Sequence, residues 1–124
     1  MLSDFSFHSI GVPQGLFGPQ SRHRDIGRAG VTNRREDLFK FRTPPLLGVS
    51  NTSPYGHNGA FTTLQEVITH HYNPIEFYLN HEDYYSADYY KIGKLMGTRD
   101  RLLESIQINS DEDVDDLIDF LNAL

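Results

Sequence analysis

The chain has 124 residues, of which 38% are hydrophobic and 23% charged, a composition typical of one globular domain with a single modest core. Its net charge is −6 and it has no basic cluster, so nucleic acid, whose phosphates require Lys and Arg, is not an expected partner. The chain contains no cysteine, which excludes disulfides and thiolate metal sites within it. No apolar stretch reaches about 18 residues, so no membrane span is expected, and the first residues show no signal-peptide pattern.

The segment from residue 9 to residue 59 is predicted to be largely irregular, because it contains five of the six prolines and most of the glycines. A short helix is predicted near residues 33–39, where Thr32 or Asn33 can cap it. The alternation around residues 39–41 is too brief to predict a strand. An irregular segment this long in a compact domain usually encloses something. It is a first indication of a bound cofactor.

The second half is predicted to be helical. Two overlapping capping boxes, which begin at Thr62 and Thr63, predict the start of a helix. The helix is expected to end at Tyr72, because Asn73 and Pro74 follow.

An apolar stripe on this helix is formed by Leu64, Val67 and Ile68, and His71 is the next position on it. At about 100° per residue, His71 lies roughly 20° from Leu64, near the middle of the predicted buried face, whereas His70 lies on the flank. A histidine on an aliphatic helix face is more often a core side chain than a ligand. The ligand interpretation requires an open site beside it, and the pattern alone leaves both interpretations open.

Residues 75–96 are rich in tyrosine, and they are predicted to form a loop and a short helix. A further helix is expected over residues 99–106. The last helix is the clearest element, since Ser110 can cap it and acidic residues 111–113 suit the positive end of its dipole. Its apolar stripe comprises Val114, Leu117, Ile118, Leu121 and Leu124. The pattern predicts a mainly α fold whose core includes Leu64, Val67, Ile68, Leu117, Ile118 and Leu121.

Several segments occur in a fixed order that carries more information than any one of them. They are Ser-Asp-Phe-Ser-Phe-His at 3–8, Phe-Arg-Thr-Pro-Pro at 41–45, Pro-Tyr-Gly-His-Asn-Gly at 54–59, Thr-Leu-Gln-Glu at 63–66, and the last ten residues. Over essentially the whole chain they resemble the C-terminal domain of dihaem cytochrome c peroxidases and their MauG-like relatives. The Pro-Tyr-x-His-x-Gly segment followed by Thr-Leu-x-Glu is the most specific part.

The resemblance implies a cytochrome c-like domain spanning residues 1–124, in a family whose haem c is attached through Cys-x-x-Cys-His. In that family the C-terminal haem accepts electrons from a small donor protein and passes them to the peroxide-reducing haem of the N-terminal domain. The attachment motif lies a few residues before the Ser-Asp-Phe segment, so this chain is expected to be a fragment that carries no covalent haem and is not catalytic alone. The alternative hypothesis is a haem-free interaction module that retains the fold.

The resemblance also assigns site residues by position. The family's distal axial ligand to this haem iron, methionine in the peroxidases and tyrosine in MauG, falls at His71. His57 and Arg42 are expected to bind the same cofactor. A histidine in place of methionine is expected to lower the reduction potential of the haem.

The remaining implications concern calcium, partners and location. Thr52 and Pro54 match positions whose backbone carbonyls help to bind an interdomain calcium ion. The expected partners are the N-terminal haem domain and the small electron-donor protein, and a homodimer is compatible with the resemblance. The family's location implies the periplasm.

Overall fold

A computed structural model of the chain describes residues 2–15 and 25–124, and within them the fold is mainly α, as predicted. The α-helices are α1 (Ala29–Thr32), α2 (Leu64–Tyr72), α3 (Pro74–Asn80), α4 (Glu82–Asp88), α5 (Ile92–Gly97) and α6 (Asp111–Asn122). Strands β1 (Phe7–His8) and β2 (Phe41–Arg42) pair antiparallel, with Phe7 opposite Arg42. Part of the predicted irregular segment, residues 16–24, lies outside the described residues.

The regular elements in the described part of the first half are short. The helix predicted near residues 33–39 is only a 3-10 turn at Arg35–Asp37. It cannot extend, because Asn33 and Phe39 on either side adopt positive φ angles of 59° and 60°, which lie outside helical geometry. A strand of only two residues lies at Phe41–Arg42, which is too short for the alternation around residues 39–41 to predict it.

Helix α2 begins and ends where the sequence predicts. The Thr63 hydroxyl accepts a hydrogen bond from the Glu66 backbone N–H at 3.2 Å, and the Thr62 hydroxyl donates to the Glu66 carboxylate at 2.8 Å. These contacts satisfy part of the unpaired first turn. Pro74 then occupies the first turn of α3, where its missing N–H costs no intrahelical bond.

The prediction of a loop and a short helix over residues 75–96 is wrong, because three short helices, α3 to α5, occupy this region. Helices of six or seven residues show too few turns for a clear periodicity. They are held by packing: Phe77 meets the Phe61 ring at 5.2 Å and the Tyr78 ring at 5.8 Å between centroids.

The last two predicted helices differ from expectation in one respect each. The helix expected over residues 99–106 is a 3-10 helix at Arg101–Ser105, whose first turn is capped by the Asp100 carboxylate accepting from the Leu102 N–H at 2.9 Å. Ser110 precedes α6 as predicted but makes no side-chain cap bond. The Asp113 carboxylate accepts from the Asn109 N–H instead, at 2.8 Å.

Within residues 2–15 and 25–124, most of the buried hydrophobic residues fall into two clusters. The first cluster is Val12, Ala60, Phe61, Phe77 and Tyr78, and the second cluster is Leu64, Ile68, Val114 and Leu121. Among the predicted core residues, Leu64, Ile68 and Leu121 are buried, while Val67 and Ile118 are half-buried against the second cluster. The prediction for Leu117 is wrong: it is 37% exposed, because it lies at a cavity rather than under packed side chains.

Candidate functional site

A cavity of about 740 Å³ opens beside the second cluster, between α2, α6 and the segments around β1 and β2. This volume falls within the range of about 300–1,000 Å³ that is typical of small-molecule sites. Its walls are largely aliphatic and include Ile10, Leu46, Val67, Ile68, Ile106 and Leu121. An apolar ligand of considerable size would fit the chemistry of these walls.

The three residues predicted to bind a cofactor, His71, His57 and Arg42, all line this cavity. Thr52 and Pro54 are exposed and lie outside its lining, so calcium binding there stays a prediction. Over residues 2–15 and 25–124, no group of three or more His, Asp or Glu side chains is arranged to hold a metal ion.

The His71 imidazole is oriented by its own helix. Its Nδ1 lies 2.6 Å from the Val67 carbonyl oxygen, so Nδ1 carries the proton and donates, and the lone pair is on Nε2. Burial, aided by the nearby positive charge of Arg99, lowers the pKa of His71 despite this bond. The ring is therefore neutral at pH 7. A neutral imidazole with one nitrogen fixed by a carbonyl and the other free is the usual form of a metal-binding histidine.

His70 faces the other side of α2. It is only 1% exposed, its Nε2 lies 2.8 Å from the Ile10 carbonyl oxygen, and its ring lies 5.0 Å from that of Phe61. Burial lowers the pKa of His70 to about 3. The prediction that His70 lies on a flank is wrong, because the first cluster covers this face of α2 as completely as any other part of the core. It is nevertheless right that His71, not His70, shares a face with Val67.

His57 and Arg42 lie at the more exposed edge of the cavity. His57 Nε2 lies 2.7 Å from an Asp25 carboxylate oxygen, and its ring stacks on Phe41 at 3.7 Å between centroids. The Arg42 guanidinium lies 5.3 Å above the Phe5 ring. Both side chains are therefore fixed by neighbours, and Arg42 places a positive charge beside the apolar walls.

His8 also lines the cavity and was missed as a site residue by the sequence reasoning. Its Nδ1 lies 2.6 Å from an Asp100 carboxylate oxygen and its Nε2 lies 2.6 Å from one of Asp4. The hydrogen bond to Asp100, and to a smaller extent the one to Asp4, raises the pKa of His8. The spacing of four residues between Asp4 and His8 was visible, but Asp100 is 92 residues away along the chain. No local pattern could have indicated that contact.

Tyr72 is a second cavity residue that the sequence reasoning did not single out. Its position four residues after Ile68 places it on the same face of α2. That spacing could have indicated it.

These features fit haem, an apolar planar group with an iron ion and an anionic edge. The walls are aliphatic, His71 offers one uncharged nitrogen, and Arg42 brings a positive charge to the lining. His71 is the donor, among the described residues of this lining, whose geometry suits the iron best.

The chain is similar in sequence to several known proteins. It is 35% identical to the cytochrome-c peroxidase IdrP1 of Pseudomonas sp. (strain SCT) over 114 residues, which are 90% of this chain and 25% of that protein. It is 32% identical to the methylamine utilization protein MauG of Paracoccus denitrificans (strain Pd 1222) over 74 residues, 53% of this chain and 19% of that protein. It is 27% identical to the cytochrome c peroxidase Ccp of Escherichia coli (strain K12) over all of this chain and 20% of that protein.

The chain thus spans a quarter or less of the length of these relatives. No family model matches it. No solved structure matches it. Among the described residues, no helix is both long enough and apolar enough to cross a membrane. The sequence likenesses agree with the resemblance carried by the motifs, and the chain is therefore related to the cytochrome c peroxidase/MauG family.

Proposed function

We propose that this chain is a cytochrome c-like, electron-transfer haem domain of a peroxidase- or MauG-type oxidoreductase, in which His71 is an axial ligand of the haem iron. The observation that carries the proposal is the His71 imidazole, which lines an aliphatic cavity with Nδ1 bound to the Val67 carbonyl and Nε2 free. Haem, when bound, supplies one-electron redox chemistry at its iron.

The contribution of the chain's own residues is binding and control of the environment. The aliphatic walls exclude water, which keeps the dielectric constant around the site low and strengthens the effect of nearby charges. Burial of His71 keeps its imidazole uncharged and so able to coordinate a metal. Arg42 is suited to balance an anionic group at the edge of a bound haem.

The remaining proposals follow from the family likeness. We propose the N-terminal haem domain of the same enzyme and a small electron-donor protein as partners, a periplasmic location, and an interdomain calcium ion bound by the backbone carbonyls of Thr52 and Pro54. A homodimer is compatible with these assignments. Peroxide reduction belongs, in this proposal, to the haem of the N-terminal domain.

The proposal can be tested by titrating the purified chain with haemin and following the absorption of the haem. We expect saturable binding at one haemin per chain, with a shifted Soret band, and weaker binding after His71→Ala. His81→Ala is a suitable control, because His81 stacks on Phe77 at 4.1 Å and does not line the cavity. The absence of saturable binding would contradict the proposal and would favour the haem-free interaction module.

A further inference from the structure

Arg99 makes a set of contacts at the C-terminal end of α2 that the family likeness does not assign. Its Nη2 donates to the His71 carbonyl at 2.8 Å, and its Nη1 donates to the His70 carbonyl at 3.2 Å. Nη1 also donates to the carbonyl of Ile10, which belongs to the segment after β1. One guanidinium therefore joins two walls of the cavity, since Ile10 and His71 both line it.

These contacts have a clear physical basis. The last carbonyls of a helix have no partner within the helix and carry partial negative charge. A planar guanidinium can bind several of them at once, which an ammonium cannot do with the same fixed geometry. Arg99 is half-buried, so its hydrogen bonds are less exposed to competition from water than those of a surface arginine.

The surrounding backbone is shaped to admit Arg99. Gly11 has a φ of 66°, and a Cβ atom there would lie 3.0 Å from Arg99 Cγ and 3.0 Å from the Leu95 carbonyl oxygen. A side chain at this position would be strained and would crowd the stem of Arg99. The Ile10 carbonyl that precedes Gly11 also accepts from His70 Nε2 at 2.8 Å, so one oxygen is bound to α2 directly by His70 and indirectly through Arg99.

We propose that Arg99 is a positioning residue for His71: its guanidinium fixes the last turn of α2 against Ile10 and so holds the His71 imidazole in the orientation that an axial ligand needs. This inference rests on the proposed function, since it assumes that His71 binds the iron.

The test uses the full chain with haemin, comparing wild type with Arg99→Gln and Arg99→Lys. Two quantities are measured: the affinity for haemin, and the iron–histidine stretching band of the ferrous complex by resonance Raman spectroscopy. We expect Arg99→Gln to weaken haemin binding about tenfold, as is common when the partner that orients a metal ligand is lost, and to shift or broaden the band. Arg101→Gln is the matched control, because Arg101 is exposed and two residues away, and it should resemble wild type.

Arg99→Lys keeps the charge but cannot reproduce the guanidinium geometry, so its band should also broaden, with a smaller loss of affinity. If Arg99→Gln fails to fold, Arg99→Lys decides the question. A band and an affinity equal to those of wild type, in whichever of the two variants folds, would overturn the role of Arg99 alone. A wild-type complex without an iron–histidine band would overturn the proposed function, and this inference with it.

Discussion

The two faces of α2 differ in how completely the protein itself fills them. On one face, His70 and the first cluster form a largely closed core, beside a smaller pocket of about 250 Å³, and Phe61 and His70 are almost inaccessible to water. On the other face, the second cluster borders a cavity of about 740 Å³, and Leu117 remains partly exposed beside it. Proteins normally pack their interiors without large voids. The difference supports the proposal that one face stabilises the fold and the other binds a ligand.

The closed side also contains one buried carboxylate that several donors contact. Asp88 is fully buried, and its carboxylate accepts from the backbone N–H groups of Gln14 and Gly15 at 3.0 and 2.8 Å. The Tyr78 hydroxyl donates to it at 2.8 Å, and the Lys91 ammonium lies 3.5 Å away. Asp88 therefore connects α4 to Gln14 and Gly15. Because several donors compensate its charge, burying this carboxylate costs less free energy than burying an unpaired one.

The largest effect is expected on the closed face. Phe61→Ala should lower the free energy of unfolding by about 3–5 kcal/mol, because it removes a fully buried ring from the centre of the first cluster. Urea unfolding followed by circular dichroism measures this change. A loss below about 1 kcal/mol would mean that the first cluster is not the closed core described above.

A much smaller effect is expected on the cavity face. Leu117→Ala should lower the free energy of unfolding by about 1 kcal/mol or less, because the side chain is 37% exposed and borders open space. The same urea experiment applies, with Leu121→Ala as the buried control on the same helix. An effect of Leu117→Ala as large as that of Leu121→Ala would show that the cavity face is packed in solution.

The contribution of His8, which lines the cavity, to the stability of the fold should depend on pH. Hydrogen bonds to Asp100 and Asp4 raise the pKa of His8 above its ordinary value of 6.5, and the pKa values of both carboxyls are lowered. The imidazolium therefore stabilises the fold below about pH 6.5, and this contribution is lost as the pH rises through the folded-state pKa.

Comparing wild type with His8→Asn isolates this contribution, since both proteins retain His70 and His71. The difference in urea midpoint between the two proteins should be present at about pH 6 and should shrink towards about pH 9. A difference that grows with rising pH would mean that His8 is held in its neutral form.

Local signals explain why α2 could be predicted from sequence and why its neighbours could not. Thr62 and Thr63 at its start and Pro74 after its end are local chemical marks, and they act within a few residues. Helices α3 to α5 depend on contacts such as Phe77 against Phe61, which no short window contains. Tertiary packing stabilises those helices, as is usual for helices that are too short to be stable alone.

The candidate site was predictable only in part, for the same reason. The stripe of α2 indicated His71, because a helical face is a local property. The cavity itself is built from segments as distant as those of His8, His57 and Leu117, and their meeting is a result of the fold. The burial of His70 was likewise hidden, since it depends on residues around Ile10 that cover its side of α2.

The central claim, that α2 presents His71 and not His70 to a haem iron, is tested most directly by resonance Raman spectroscopy of the ferrous haem complex. Adjacent histidines of identical chemistry give a matched pair of variants, His70→Gln and His71→Gln. We expect the iron–histidine stretching band of the wild-type complex to persist in His70→Gln and to disappear in His71→Gln. Loss of the band in His70→Gln with its retention in His71→Gln would contradict the assignment of the two faces of α2.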